Sequence, residues 1–281
     1  MILNPVQAGI ETHRGSTDVL RCFVDTHAHF HPCFDATEFL NAAIKNAARL
    51  AHAPPCLLLA DSPCFDSIDA IYEGLKHDDA PFGIVEETPD CARIESLGRP
   101  KGYLIRGRQI RTKERLEVLA YGGDYDISNG LPLDETLEVV SETAKLVILP
   151  WGFGKWWWPR KHLIKRIIER QAAFGNKYAA LAMGESGCRP DAFGEPSDFS
   201  DSVKLKRLPG SDPLPMKSEV HRVASVGTSV ELEIDRGLDE SVEDQILVVV
   251  SRDHSETLGE HLTVPEFIRQ QISLRIPWLR R

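Results

Sequence analysis

The chain has 281 residues, enough for one large α/β barrel or two modest domains. With 42% hydrophobic and 27% charged residues it is not a disordered chain. A net charge of −9 argues against a general binder of nucleic acid or of an anionic membrane. The partner expected instead is a small anionic substrate held in a locally basic pocket, with self-association as a further option.

The opening residues 1–19 hold Asn4, Glu11, His13 and Arg14 and no apolar run, so a signal peptide is not expected. No stretch reaches the roughly 18–20 apolar residues of a membrane span. The expected compartment is therefore cytoplasmic, and the six cysteines read as thiols rather than as a disulfide framework.

In chain order, residues 21–26 (RCFVDT) predict a buried strand. Residues 37–50 carry apolar side chains at helical spacing, at Phe39, Leu40, Ala43, Ile44, Ala47 and Leu50. A second strand at 56–60 (CLLLA) ends at Asp61, and a helix follows at 67–75. This β-α-β-α opening favours a parallel sheet whose functional groups sit at the strand C-termini. Residues 81–122 change rhythm into strands at 83–87, 91–97, 102–106 and 115–121, with no room for helices between them. Alternation then resumes with a helix at 133–143, a strand at 145–149 (KLVIL), a helix at 162–174, and strands at 178–183 and 204–208. Residues 220–234 and 245–250 read as late strands or as a strand–helix pair, and 264–281 as an amphipathic helix. The acids between Glu231 and Asp244 read as a solvated face. The architecture expected is a distorted (β/α)7–8 TIM-like barrel in one domain spanning 1–281, with 81–122 as an antiparallel hairpin insertion and 220–281 packed on the barrel.

Two segments at predicted strand ends carry the chemistry. In Phe23-Val-Asp-Thr-His-Ala-His-Phe-His31 the alternation of a strand puts His27 and His29 on one side, where both can ligate one ion. Asp25 shares that side as a possible partner to a ligating ring. The alternative is a hydrogen-bonded histidine pair at a barrel rim. In Leu208-Pro-Gly-Ser-Asp-Pro-Leu-Pro215, Asp212 can point over the barrel mouth to bind metal or take a proton; it can equally close an Asp-Pro turn.

The HxH after the first strand, the Asp after the second, the Gly107-Arg-Gln-Ile110 segment and the late Gly210-Ser-Asp resemble the PHP branch of the metal-dependent hydrolases, relatives of the amidohydrolases, over roughly residues 20–215. That resemblance implies a distorted barrel binding divalent metal at the strand C-termini. The chain departs from the family pattern at Ser62 after Asp61, at Gln109 in place of a bridging glutamate, and at Glu117 in place of a histidine. It also lacks histidines after Leu149 and Asp212. The implied ligands are His27, His29 and Asp212 with Glu117 or Glu185, holding one ion or two of zinc, manganese or iron.

Two further stretches look built for a ligand. Pro150-Trp-Gly-Phe-Gly-Lys-Trp-Trp-Trp-Pro-Arg160 holds four of the five tryptophans, among them Trp151, and offers Lys155 as an anion clamp. These indoles can equally plug the rim or mediate self-association. Met183-Gly-Glu-Ser-Gly-Cys-Arg-Pro190 offers Glu185 as a base and Arg189 as a clamp, or the two as a salt bridge. Arg108, in the run of basic residues from Arg106 to Arg115, is a third candidate for anion binding. The function expected is a hydrolase of a phosphoester or amide bond, using a metal-activated water with Asp212 or Glu185 as base. The alternative is an inactive barrel that binds a small anion or a protein.

Overall fold

The computed structural model describes residues 17–77, 79–123, 127–151, 160–174, 180–193, 205–235, 241–252 and 256–276. The first half runs β1 (Thr17–Ala28), α1 (Ala36–Ala51), β2 (Pro55–Asp61), α2 (Ser67–Gly74), β3 (Gly83–Thr88), β4 (Cys91–Ser96), β5 (Arg99–Arg111) and β6 (Glu117–Tyr121). The second runs α3 (Leu133–Thr143), β7 (Leu146–Pro150), α4 (Arg160–Phe174), β8 (Leu181–Ser186), β9 (Lys206–Gly210), β10 (Val226–Asp235), α5 (Val242–Arg252), β11 (Leu258–Gly259) and α6 (Val264–Arg275).

Local chemistry accounts for the element ends. Asp35 caps α1 by accepting from the Glu38 amide at 2.9 Å, and His52 closes it in the left-handed region at φ 52°. Phe39, Leu40, Ala43 and Ala47 form its buried stripe. All seven residues of β2 are buried, as an interior strand covered on both faces requires.

The sheet order is β11-β10-β1-β2-β5-β6-β7-β8-β9. β1, β2 and β5 pair in parallel, as do β7, β8 and β9, while β6 runs antiparallel to both of its neighbours. The meander expected at 81–122 is thereby divided. β5 and β6 are members of the main sheet, and only the β3–β4 hairpin stands off it, paired to the first half of β5. β10 runs antiparallel to β1. Of the two readings of 220–250, the strand–helix pair is what forms, because Ile246, Leu247 and Val250 share one buried helical face.

At its far edge the sheet curls back until β9 meets β1, making a nearly closed barrel. The Thr26 hydroxyl donates to the Pro209 carbonyl at 2.9 Å, and the Asp212 amide to the His27 carbonyl at 2.8 Å. Gly210 permits this approach, since a Cβ there would lie 2.5 Å from the His27 backbone nitrogen.

Inward-facing Val24, Leu58, Ile105, Leu119, Ile148, Ala182 and Leu208 form the barrel interior with α5. Lys145, just before β7, pairs with Asp244, and Lys206, the first residue of β9, donates to the Val250 carbonyl. α5 therefore plugs the end where the parallel strands begin, and the opposite mouth is left for chemistry. A second core packs α1 and α2 against β1, β2 and β5; a third packs α3 and α4 against β6, β7 and β8. All six cysteines are free thiols. Among the described residues no helix is long and apolar enough to cross a membrane.

Candidate metal centre

The pairing of β1 with β2 slips between Asp25 and Ala28, so an irregularity falls at His27. Such bulges re-aim side chains at strand ends. His27 is 4% exposed, and its Nε2 lies 3.0 Å from Nε2 of His29. Asp212 approaches from the loop after β9 with φ 48°, and its Oδ1 is 3.7 Å from each of the two Nε2 atoms. The donor atoms of these three residues all lie within 4.8 Å of one another.

These separations fit a metal. An ion bound tetrahedrally at about 2.1 Å holds its donors roughly 3.4 Å apart, and the observed 3.0, 3.7 and 3.7 Å straddle that spacing. The donor chemistry fits as well. Burial first, and then the neighbouring His27, bring the His29 imidazole down to about 3, so it presents a lone pair rather than a proton at neutral pH. Its ring also bonds the Ala60 backbone, which fixes its orientation. His31 stacks on His29 with ring centres 5.4 Å apart, and its Nε2 engages the Pro213 carbonyl at 2.8 Å; it braces the loop that carries Asp212.

Gly-Ser-Asp is thus explained residue by residue: Gly210 lets β9 reach β1, Ser211 locks to Asp25, and Asp212 faces the imidazoles. Asp25 does not orient a histidine ring. Its buried carboxylate accepts from the Ser211 amide (2.9 Å), the Ser211 hydroxyl, the Ala224 amide (2.9 Å) and the His27 amide (3.2 Å). Burial, the largest influence, raises its pKa against those bonds.

A cleft of about 340 Å³ opens beside the imidazoles, lined among others by His29, Asp61, Phe65, Gln109, Glu117 and Asp212. Glu117 stands on this wall but outside the group of three donors. Burial raises the Asp61 carboxyl to about 6, while the Ser67 amide and hydroxyl bond its two oxygens.

The remaining candidates are placed elsewhere, and strand parity explains why. On β8, Ala182 faces the barrel interior while Leu181 and Met183 face the helices. Glu185 therefore leaves the mouth, and Ser186 is the residue that looks into it. Glu185 bonds Arg189 at 2.8 Å and lies 3.2 Å from Nε2 of His261. Burial alone would raise Glu185, but His261 and Arg189 outweigh it and hold the carboxyl down to about 2. Glu185 thus lies outside the group formed by His27, His29 and Asp212, and Arg189 is paired with it. Arg108 likewise points outward and donates to the Ser62 carbonyl at 3.1 Å, while Arg106 pairs with Asp66 at 2.8 Å. Trp151 packs half-buried against the third core. Lys155 lies outside the described residues, as does all of 152–159.

Sequence reasoning passed over Ser186, whose hydroxyl donates to Asp212 Oδ2 at 3.0 Å. The signal was available, since the alternation of β8 alone separates it from Glu185. It also passed over His261, which sits between Glu185 and Asp191 and carries no local motif.

No protein-family model and no curated protein matches the chain. Solved structures do. PsfC from Pseudomonas syringae PB-5123 aligns with a TM-score of 0.54 and 18% identity over 91% of this chain and 98% of that one. The lesion-specific endonuclease PfuEndoQ from Pyrococcus furiosus aligns at 0.46 and 16% over 85% of this chain and 58% of its own. An Endonuclease Q complex with a 27-mer duplex carrying an abasic lesion aligns at 0.46 and 15%, over 84% and 58%. The likeness to PsfC is one of fold. The expectation that nucleic acid is no partner is withdrawn, because one of the matched structures holds a DNA duplex. Net charge describes the whole surface and does not decide what a local cleft accepts.

Proposed function

We propose that the chain is a metal-dependent hydrolase on a PHP-like barrel, with His27, His29 and Asp212 holding one divalent ion at the C-terminal mouth. The observation that carries this reading is the convergence of three donors, from β1 and from the loop after β9, at ligand-like separations. The overall likeness to PsfC supports the fold on which it rests. When bound, such an ion acidifies an adjacent water and polarises a scissile bond. The chain supplies the rest. His27, the neutral imidazole of His29 and the Asp212 carboxylate would hold the ion. Gln109, Glu117 and Asp61 line the cleft that receives a phosphoester or amide group. Glu117, which shares the inward parity of Leu119 and lines the cleft, is the carboxyl we take as the base. One domain comprising the barrel, the β3–β4 hairpin and the C-terminal elements carries the site.

Elemental analysis of the purified, metal-loaded protein tests this. The wild type holds about one equivalent of zinc, manganese or iron, and the His27→Ala/His29→Ala chain holds less than a tenth of that, with hydrolysis of phosphoesters or amides lost in parallel. A loaded wild type without metal, or a double variant that keeps it, overturns the reading.

A further inference from the structure

We propose that the turn between β5 and β6 is a docking surface for the phosphodiester backbone of a nucleic acid, which would pass across the mouth of the barrel. Its relation to a reacting group rests on the reading of the cleft as a hydrolase site; the binding itself does not. Residues 106–115 hold five cations, Arg106, Arg108, Arg111, Lys113 and Arg115, against one acid, Glu114, in a chain whose net charge is −9. The structure divides these five. Arg106 pairs with Asp66, and Arg108 donates to the Ser62 carbonyl. Arg111, Lys113 and Arg115 are exposed, and among the described residues their side chains have no ion-pair or hydrogen-bond partner. Glu114 is turned to α3, where its carboxylate accepts from the Leu133 amide at 3.1 Å.

The position of the turn follows from the sheet. β5 runs parallel to β2, so its C-terminal end and the turn after it lie at the open mouth. Arg111 is the last residue of β5 and stands opposite Glu117 in the ladder, two residues beyond Gln109. Gln109 and Glu117 both line the cleft, so the three cations stand on its rim. The main chain beneath them is tied down. The Arg111 amide donates to Asn129 Oδ1, the Gly130 amide to the Arg111 carbonyl, the Lys113 amide to the Leu131 carbonyl and the Thr112 amide to the Leu116 carbonyl, each at 2.8 Å. A frame fixed in this way presents its charges at little ordering cost on binding. A small anion held in the cleft would meet the residues that line it. Cations set outside on the rim suit an extended partner that repeats its negative charge beyond the group in the cleft. A nucleic-acid strand is such a partner, and Arg and Lys contacts to its phosphates position it without reading its bases.

The test is fluorescence polarisation of a labelled oligonucleotide of about 20 nucleotides, single-stranded and as duplex, titrated with the full chain between about 50 and 200 mM salt. A chelator is present, so that nothing is cleaved. Wild type binds, and the logarithm of its affinity falls linearly with the logarithm of salt concentration. Arg111→Gln/Lys113→Gln/Arg115→Gln binds about tenfold or more weakly at the low-salt end, and its slope is shallower by about two to three. Lys113→Gln alone makes the slope shallower by about one. Lys45→Gln/Arg49→Gln/Lys165→Gln removes the same charge from exposed positions on α1 and α4 and stays within about twofold of wild type. Equal losses in the two triple variants, or a wild type that does not bind at about 50 mM salt, overturn the proposal. Displacement of the oligonucleotide by inorganic phosphate at equal phosphate concentration marks a small-anion contact and overturns it as well. Should the first triple variant not fold, Lys113→Gln decides: an unchanged slope contradicts the assignment. Because binding is read without metal, each of these failures leaves the metal centre standing, and elemental analysis reads that centre alone.

Discussion

Asp25 shows how one buried carboxylate can assemble a site without touching the chemistry. Its four hydrogen bonds gather the amide of His27, the amide and hydroxyl of Ser211 and the amide of Ala224, groups up to 199 residues from Asp25 in sequence. Truncation strands these buried donors, each costing on the order of 1–3 kcal/mol. Asp25→Ala is therefore expected to lose at least about 3 kcal/mol in urea unfolding, and to lose metal binding as a consequence. Asp61, like Asp25, is raised by burial. Its folded pKa, about 6, lies above the ordinary 3.8, so the native state holds a proton that the unfolded chain has released. That contribution favours folding below pH 4 and is lost as the pH rises through 6. Asp61→Asn should gain stability relative to wild type between pH 4 and 7, by an amount on the order of 2–3 kcal/mol in paired urea titrations. A constant difference across that range would contradict the assignment.

Among the elements, β8 and the C-terminal segment belong together. Glu185 leaves the barrel on the outer face of β8 and is met by Arg189, His261 and Thr257. Gln270, on α6, donates to Glu219 at 2.6 Å and approaches the thiol of Cys188, just after β8, at 3.5 Å. With a folded pKa near 2 against an ordinary 4.5, Glu185 stabilises the native state above pH 4.5, and this is lost as the pH falls toward 2. Lowering the pH from 5 to 3, or Glu185→Gln at neutral pH, should therefore raise hydrogen exchange of α6 before that of β1 and β2. Uniform exchange in all three would refute the link.

Elements of this kind were legible where periodicity was strong. The CLLLA and KLVIL runs and the α1 stripe follow from burial patterns that leave little choice. The meander was legible as strands but not as topology, because a sequence does not record that β5 exchanges β4 for β6 midway along one edge. Of the site, His27, His29 and Asp212 stood out because polar residues at the ends of apolar strands are conspicuous. Glu185 and Arg108 lie on the outer faces of β8 and β5, which the two-residue alternation assigns once Ala182 and Ile105 are seen to face inward.

On the scale of the molecule, α5 closes one end of the barrel and the candidate site opens at the other. Bulk acidity, −9 in net charge, describes the whole surface and does not decide what one cleft accepts. What the whole fold does determine is that the first strand and the ninth are neighbours, which brings His27 and Asp212 together across 184 intervening positions. The most direct measurement is the anomalous diffraction of crystals grown from zinc- or manganese-loaded protein. The account predicts one strong peak about 2.0–2.3 Å from Nε2 of His27, Nε2 of His29 and an oxygen of Asp212. A peak bound by other residues, or no peak in a fully loaded crystal, would contradict it.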